Sequence, residues 1–291
     1  MRKTKTRVQA VLDEVKTLVF PGVFDTLSAK VAEHVGFPLA FISGYAVSAT
    51  HIGEPDLGLL TQTEIVDRAK HICRSVRIPI IVDADTGYGN SLNVIRTVNE
   101  LIDVGAAGCF LEDQEWPKKC GHMQGKSVIK HDDYIQKIRA AVHARNGRDF
   151  FIVARTDALA PAGLDEAIQR ANAAHRAGAD ATFIEAPCSV AELAEIGRLA
   201  PKPTVANMVE KGKTPVLHKK QLAQMGFQLI LYPLTGLFAS TQALHMAYEK
   251  LLNNDPTLEQ ETRLIAFKQF NDLIGVDKKY ALTERFDSEP Q

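Results

Sequence analysis

The feature that most constrains this chain of 291 residues is a repeat of pattern rather than of sequence. Eight short apolar segments, each bounded by Gly, Pro or polar residues, alternate with longer stretches of helical spacing. The segments are Leu18–Gly22, Leu39–Ser43, Ile78–Asp83, Gly108–Glu112, Phe150–Arg155, Ala181–Glu185, Pro203–Asn207 and Gln228–Tyr232. They are continuous apolar runs, as strands buried on both faces are. The stretches between them are amphipathic: Val8, Val11, Leu12 and Val15 share one helix face, and so do Leu164, Ile168, Ala171 and Ala174. Gly36, Gly105, Gly178 and Gly226 stand where helix stops are expected. Such alternation over about 250 residues, with no linker-like break, predicts an α/β fold: one parallel (β/α)8 barrel of the TIM type rather than a doubly wound sheet. The barrel is expected over residues 1–252 and a C-terminal helical extension over residues 253–291. In the extension Leu258, Ile265, Phe267, Phe270 and Ile274 need an apolar partner, and a neighbouring subunit or the chain's own barrel would each supply one.

Composition narrows the function classes. Lys and Arg total 34 against 35 Asp and Glu, a net charge of −1, so no basic surface is available for a sequence-independent grip on nucleic acid. No apolar run reaches the roughly 18 residues of a membrane span. The N-terminal MRKTKTRVQAVLDEV lacks the apolar core of a secretory signal. The four cysteines, Cys73, Cys109, Cys120 and Cys188, are scattered, which suits a reducing compartment and a cytoplasmic location better than a disulfide framework. Cys73, in a helix, and Cys109, in a strand, read as core.

Barrel enzymes carry their chemistry at the C-terminal ends of the strands. Here those ends read Ser43-Gly44-Tyr45, Asp83-Ala84-Asp85, Glu112-Asp113, Arg155-Thr156-Asp157, Glu185, Asn207 and Tyr232-Pro233. Asp83 and Asp85 are two apart, so in extended backbone their carboxylates point the same way. With Glu112 from the next strand they would repel one another unless a cation lies among them, although acids at such places also cap loops and helices. An all-oxygen set suits Mg2+ or Mn2+, retaining several waters. Arg155 ends a buried strand and needs a carboxylate, either Glu185 or that of a substrate. Lys118-Lys119-Cys120-Gly121-His122 follows strand four; two lysines beside a thiol would lower its pKa, and Gly121 and Gly125 suit a moving lid, while a lone loop cysteine is commonly inert. Gly87-Tyr88-Gly89 lacks the remaining residues of a phosphate loop.

Taken together, these residues resemble the isocitrate lyase/phosphoenolpyruvate mutase superfamily. The matching stretches are PGVFDTLSAKVAEHVGF, SGYAVSATHIGEPDLGLLT, PIIVDADTGYGN, LEDQEWPKKCGH, ARTDA, GLDEAI, ANMVEKGKTP and LYPLTGL, which span Leu18 to Lys250 in order. The resemblance implies a Mg2+-dependent barrel enzyme acting on a small dicarboxylate, commonly a homotetramer whose last helix is exchanged between paired subunits. By position, Asp83 would touch the metal while Asp56, Asp85 and Glu112 hold its waters. Ser43, Gly44 and Tyr45 would offer backbone amides and side chains to the carboxylate of the 2-oxo-acid half. Arg155 would bind the substrate oxygen and carboxylate, and Glu185 and Asn207 would orient the second half. Cys120 would be the general acid, with Tyr45, Lys118 and His122 in the catalytic group and Lys119 and Gly121 as loop neighbours. The family reaction breaks the C2–C3 bond of a 2-hydroxy acid, and the resulting carbanion is protonated at carbon. Phe41 replaces a Tyr found in isocitrate and methylisocitrate lyases, and Asn207-Met208-Val209-Glu210-Lys211-Gly212 is closer to the 2,3-dimethylmalate lyase and carboxyphosphonoenolpyruvate phosphonomutase branches. Pro233 resembles the lyases rather than the oxaloacetate hydrolases, and Cys120 is usually lost in phosphonopyruvate-acting branches. The expected activity is therefore cleavage of a substituted malate or 2-methylisocitrate, with the phosphonomutase or oxaloacetate hydrolase reaction as the alternative. A barrel reduced to a binding module would not be expected to keep Asp83, Asp85, Glu112, Arg155 and Cys120 together.

Overall fold

The computed structural model describes residues 5–121, 123, 125–254 and 264–287. Eight parallel strands close into a barrel in chain order: β1 (Leu18–Val23), β2 (Ala40–Ile42), β3 (Ile80–Asp83), β4 (Gly108–Glu112), β5 (Phe151–Thr156), β6 (Ala181–Ile184), β7 (Thr204–Asn207) and β8 (Leu229–Tyr232). β1 pairs with β8 through Pro21↔Tyr232 to complete the ring. All eight expected strands are present. Five start one or two residues inside the apolar runs, β2, β3, β5, β7 and β8; at β3 and β7 the strand begins after Pro79 and Pro203, because proline has no N–H to give to the ladder.

The helices between the strands begin and end on local chemistry. They are α1 (Arg7–Glu14), α2 (Thr26–Val35), the single turn α3 (Gly44–Val47), α4 (Gln62–Ser75), α5 (Ser91–Asp103), α6 (His131–Arg145), α7 (Leu159–Ala162), α8 (Leu164–Arg176), α9 (Val190–Leu199), α10 (Lys219–Met225) and α11 (Thr235–Leu252). Asp25 and Ser28, Thr61 and Glu64, and Asn90 and Asn93 form reciprocal capping boxes at α2, α4 and α5. All four glycines read as stops adopt positive φ, from +94° at Gly105 to +110° at Gly178.

The barrel interior is layered by the two-residue period of a strand. Phe41 and Phe110 meet at 4.6 Å between ring centroids, and Phe110 and Phe183 at 5.7 Å. Ile81, Val153, Val205 and Leu231 belong to the same buried cluster, and Val8 and Leu12 of α1 join it. The outer faces of the strands pack on the surrounding helices.

The extension contributes α12 (Phe267–Ile274) and α13 (Val276–Asp287), and α12 lies against α2 of the same chain. This is the own-barrel option, yet Phe267, Tyr280 and Phe286 stay exposed. Leu258 lies outside the described residues.

Candidate active site

Each inward-facing apolar residue of the middle layer is followed, two positions on, by a residue of the mouth. Phe41 leads to Ser43, Ile81 to Asp83, Phe110 to Glu112, Val153 to Arg155, Phe183 to Glu185, Val205 to Asn207, and Leu231 to Pro233. The ladder keeps these positions in step: Asp83 is paired with Phe110, Glu112 with Arg155, and Arg155 with Phe183. One cavity is lined by Ser43, Tyr45, Asp56, Asp83, Cys120, Gly121, Arg155, Glu185, Asn207 and Pro233, with the three Phe rings at its floor. Residues chosen from eight separate segments thus converge on a single place.

Beside that cavity lies a buried acidic cluster. The Lys118 ammonium sits between Asp56 Oδ1 at 2.5 Å and Asp85 Oδ1 at 2.6 Å, and is itself buried. Asp83 Oδ2 accepts the Gly44 N–H at 3.2 Å, and Asp83 Oδ1 accepts the Asp85 N–H at 3.2 Å. Burial pushes Asp85 up to about 7; Lys118 opposes this, while Asp83 and Asp56 add to it. Burial also works against the charge on Lys118, but the surrounding acids outweigh it and hold the ammonium well above its ordinary value. Four carboxylates therefore share this one ammonium and the nearby Arg155.

Arg155 is the hub of the mouth. Its Nη1 lies 3.1 Å from Glu112 Oε2, its Nε 2.8 Å from Asp157 Oδ2 and 3.8 Å from Glu185 Oε2, and its Nη2 donates to Asp157 Oδ1 at 3.1 Å. The expected choice between Glu185 and a substrate is thus too narrow, since Glu112 and Asp157 hold the guanidinium more closely. Burial would lower Asp157's affinity for charge, but Arg155 and Lys126 overcome it and take its carboxyl to about 2. Glu112 moves the other way: burial, reinforced by Asp157 and opposed by Arg155, raises it well above the carboxylate range. Glu112 Oε1 is buried without a hydrogen-bond partner. Asn207 Nδ2 reaches both Glu185 oxygens at 3.3 Å, and its Oδ1 is also buried without a partner.

The excursion after β4 carries Cys120. Its neck is closed by an antiparallel bridge between Gln114 and Val128 and by Glu115 N–H donating to the Ser127 carbonyl. Cys120 N–H donates to the Asp56 carbonyl at 3.2 Å. Each of the two flanking lysines has an oxygen partner. Lys118 is held by Asp56 and Asp85, and Lys119 Nζ donates to the Gly125 carbonyl at 2.9 Å. Tyr45 does border Cys120: burial raises its phenol, and Cys120 and Asp56 add to the rise. His122 lies outside the described residues. Burial pushes Cys73 and Cys109 up to about 12, as fits core thiols.

The Ser43 and Gly44 amides, expected to face a ligand, have partners within the protein. Ser43 N–H is taken by the Val23 carbonyl at 3.1 Å, and Gly44 N–H by Asp83. The ladder and the acidic cluster claim those donors, while Ser43 and Tyr45 line the cavity. Sequence reasoning assigned no role to Asp157, Lys126, Asp113 or Arg170. Asp113 accepts from Thr156 Oγ1 at 2.6 Å, Asp157 N–H at 2.8 Å and Arg170 Nη1 at 3.1 Å, behind the mouth. The spacing of Asp157, two residues beyond Arg155, carried the signal that it faces the same way.

The sequence profile of the family described as "Phosphoenolpyruvate phosphomutase" matches residues 9–252. "Carboxyvinyl-carboxyphosphonate phosphorylmutase, chloroplastic" of Arabidopsis thaliana is 47% identical over 290 residues, covering 98% of this chain and 86% of that protein. The chain belongs to the isocitrate lyase/phosphoenolpyruvate mutase superfamily. It is an enzyme, as its relatives in this superfamily are. The 2,3-dimethylmalate lyase of Eubacterium barkeri is 42% identical, with 94% of this chain and 95% of that protein covered. A crystal structure of 2,3-dimethylmalate lyase superposes with a TM-score of 0.88 at 35% identity, covering 98% of this chain and 97% of that one. Among the described residues no helix is long and apolar enough to cross a membrane.

Proposed function

We propose that the enzyme is a divalent-metal-dependent carbon–carbon lyase that cleaves a 2-hydroxy dicarboxylate of the substituted-malate kind, or 2-methylisocitrate, into a 2-oxo acid and a carboxylic acid. The observation that carries this reading is the presence of Cys120 in the wall of the same cavity as Arg155, Glu185, Asn207 and Asp83. A proton donor and a carboxylate anchor thereby line one cavity.

The acidic cluster fits a hard cation. It is all oxygen, it has more carboxylate than cation, and Glu112 Oε1 is buried without a partner. Asp83 would hold Mg2+ or Mn2+ directly, with Asp56, Asp85 and Glu112 on its waters, and the ion when bound would stabilise negative charge on the substrate oxygen.

Arg155 binds the 2-hydroxy acid by its oxygen and carboxylate, and Asn207 and Glu185 orient the other half. As the hydroxyl proton passes to a carboxylate of the cavity wall, where Asp56, Asp83 and Glu185 stand, the C2–C3 bond breaks and its electron pair stays on C3, stabilised by the adjacent carboxylate of the substrate. The Cys120 thiol gives its proton to C3, completing the carboxylic acid and leaving a thiolate. With the excursion closed over the mouth this proton transfer excludes water. A cytoplasmic homotetramer is part of the same reading, supported by the exposed Phe238, Tyr248 and Leu252 on α11 and Phe267 on α12.

The test is incubation with Mg2+ and a panel of 2,3-dimethylmalate, 2-alkylmalates and 2-methylisocitrate, following release of the 2-oxo acid. Silence across the panel refutes the lyase reading. The Arabidopsis relative favours a second reading, P–C bond formation on carboxyphosphonoenolpyruvate, which phosphorus NMR would detect. Asp83→Ala should abolish the metal-dependent turnover and the metal-induced rise in Tm while the fold persists. Retention of both would overturn the ligand assignment.

A further inference from the structure

The excursion that carries Cys120 is tied down at its neck by backbone pairing and at Cys120 by the N–H given to the Asp56 carbonyl, and buried side chains hold it further. One of these is Lys126, on the returning leg, with a side chain only 1% exposed. Its ammonium lies 2.6 Å from Asp157 Oδ1 and donates to the Gly121 carbonyl at 2.7 Å. Asp157 in turn grips Arg155 with both oxygens and is fixed by its own N–H to Asp113. An unbroken path of charge-assisted contacts therefore runs from the peptide next to Cys120, through Lys126 and Asp157, to the guanidinium at the centre of the mouth.

We propose that Lys126 is a positioning residue, a latch that closes the Cys120 segment onto Arg155 through Asp157. The physical argument is that a buried ammonium is tolerable only when paired and hydrogen-bonded. The bond to the Gly121 carbonyl ties the two legs of the excursion to each other, while the bond to Asp157 ties them to the barrel. If the excursion lifts, Lys126 loses Asp157 and its ammonium must be hydrated; if it docks, the buried pair is remade beside Arg155. Charge-assisted bonds of this kind are about twice as strong as neutral ones. Lys126 touches none of the carboxylates proposed to hold a metal, so the latch is separable from metal binding. Its catalytic meaning rests on the lyase reading above, but its existence does not.

Lys126→Met, Lys126→Gln and Asp157→Asn, each alone, and each Lys126 variant combined with Asp157→Asn, test the latch in the full-length protein. The readout is peptide-resolved alkylation of Cys120, with the exposed Cys188 as internal reference, together with hydrogen exchange of residues 114–129. Each single variant should speed Cys120 alkylation at least tenfold without changing Cys188. The double variant should be no faster than the quicker single one, because both break one contact. If a panel substrate is turned over, kcat should fall by more than KM rises. Unchanged Cys120 labelling in both Lys126 variants overturns the latch, and so do independent, multiplying effects of Lys126 and Asp157. If no panel substrate reacts, the lyase reading fails while the labelling result still decides the latch. Should Lys126→Met not fold, Lys126→Gln, which keeps a donor for the Gly121 carbonyl, carries the same comparison.

Discussion

Adding one methyl group at Gly121 should separate closure of the mouth from stability of the barrel. A Cβ built there would stand 2.5 Å from Glu185 Cγ and Cδ and 2.7 Å from Arg155 Nη2. Neither neighbour can retreat cheaply. Arg155 is held by Asp157 and Glu112, and Glu185 is 1% exposed and bonded to Asn207. Forcing an extra carbon into such a place costs about 1–3 kcal/mol. The cost falls on the docked segment alone, because an open tip leaves the methyl in water. Gly121→Ala should therefore lower kcat/KM by roughly 5- to 150-fold at about 1.4 kcal/mol per factor of ten, with Tm within a degree or so of the parent. The assay is steady-state turnover of whichever panel substrate reacts, beside thermal denaturation and alkylation of Cys120. Bound substrate should protect Cys120 from alkylation in the parent and much less in the variant. Full kcat/KM in Gly121→Ala, or a loss accompanied by a proportionate fall in Tm, would refute the argument.

Two further outcomes are expected. Cys120→Ser should keep substrate and Mg2+ binding while kcat falls by about 10²–10⁴-fold, the usual worth of a matched general acid; near-normal turnover would remove Cys120 from that role. Asp157, held at about 2 against an ordinary 3.8, contributes stability that is present above pH 3.8 and lost as pH falls through about 2. The difference amounts to about 2 kcal/mol, so the stability deficit of Asp157→Asn should shrink between pH 5 and pH 2. Urea titrations across that range check it, and a deficit independent of pH would contradict it.

The barrel was legible because its signal is local and repeated. Runs such as Gly108–Glu112 and the glycine stops at Gly36 and Gly226 impose strand and helix wherever they occur. The mouth was legible where a residue's type is costly in its setting: Asp83, Glu112 and Arg155 at the ends of apolar runs have no ordinary place in a core. What escaped was partnership. Whether Lys118 charges a thiol or fills an acidic cluster depends on the path of a long loop, which no periodicity encodes. Asp157 and Lys126 are 31 residues apart and look like ordinary surface residues until the fold buries them together. The partners of the Ser43 and Gly44 amides were hidden for a similar reason, since the strand register and Asp83 decide whether a backbone donor is taken.

The sharing of Arg155 among Glu112, Asp157 and Glu185 also limits how this mouth can evolve. Each of the three acids leans on the same guanidinium, so replacing any one alone changes the charge balance felt by the other two. Removing Arg155 would take a cationic partner from Glu112, Asp157 and Glu185 at once, a loss of several kcal/mol that no neutral drift would carry. Substrate preference within such lineages should therefore wander through uncharged wall positions, among them Phe41, Val209, Leu234 and Pro233, where one substitution at a time is affordable. The charged ring would stay as an inherited block, exchanged only when two or more of its members change together.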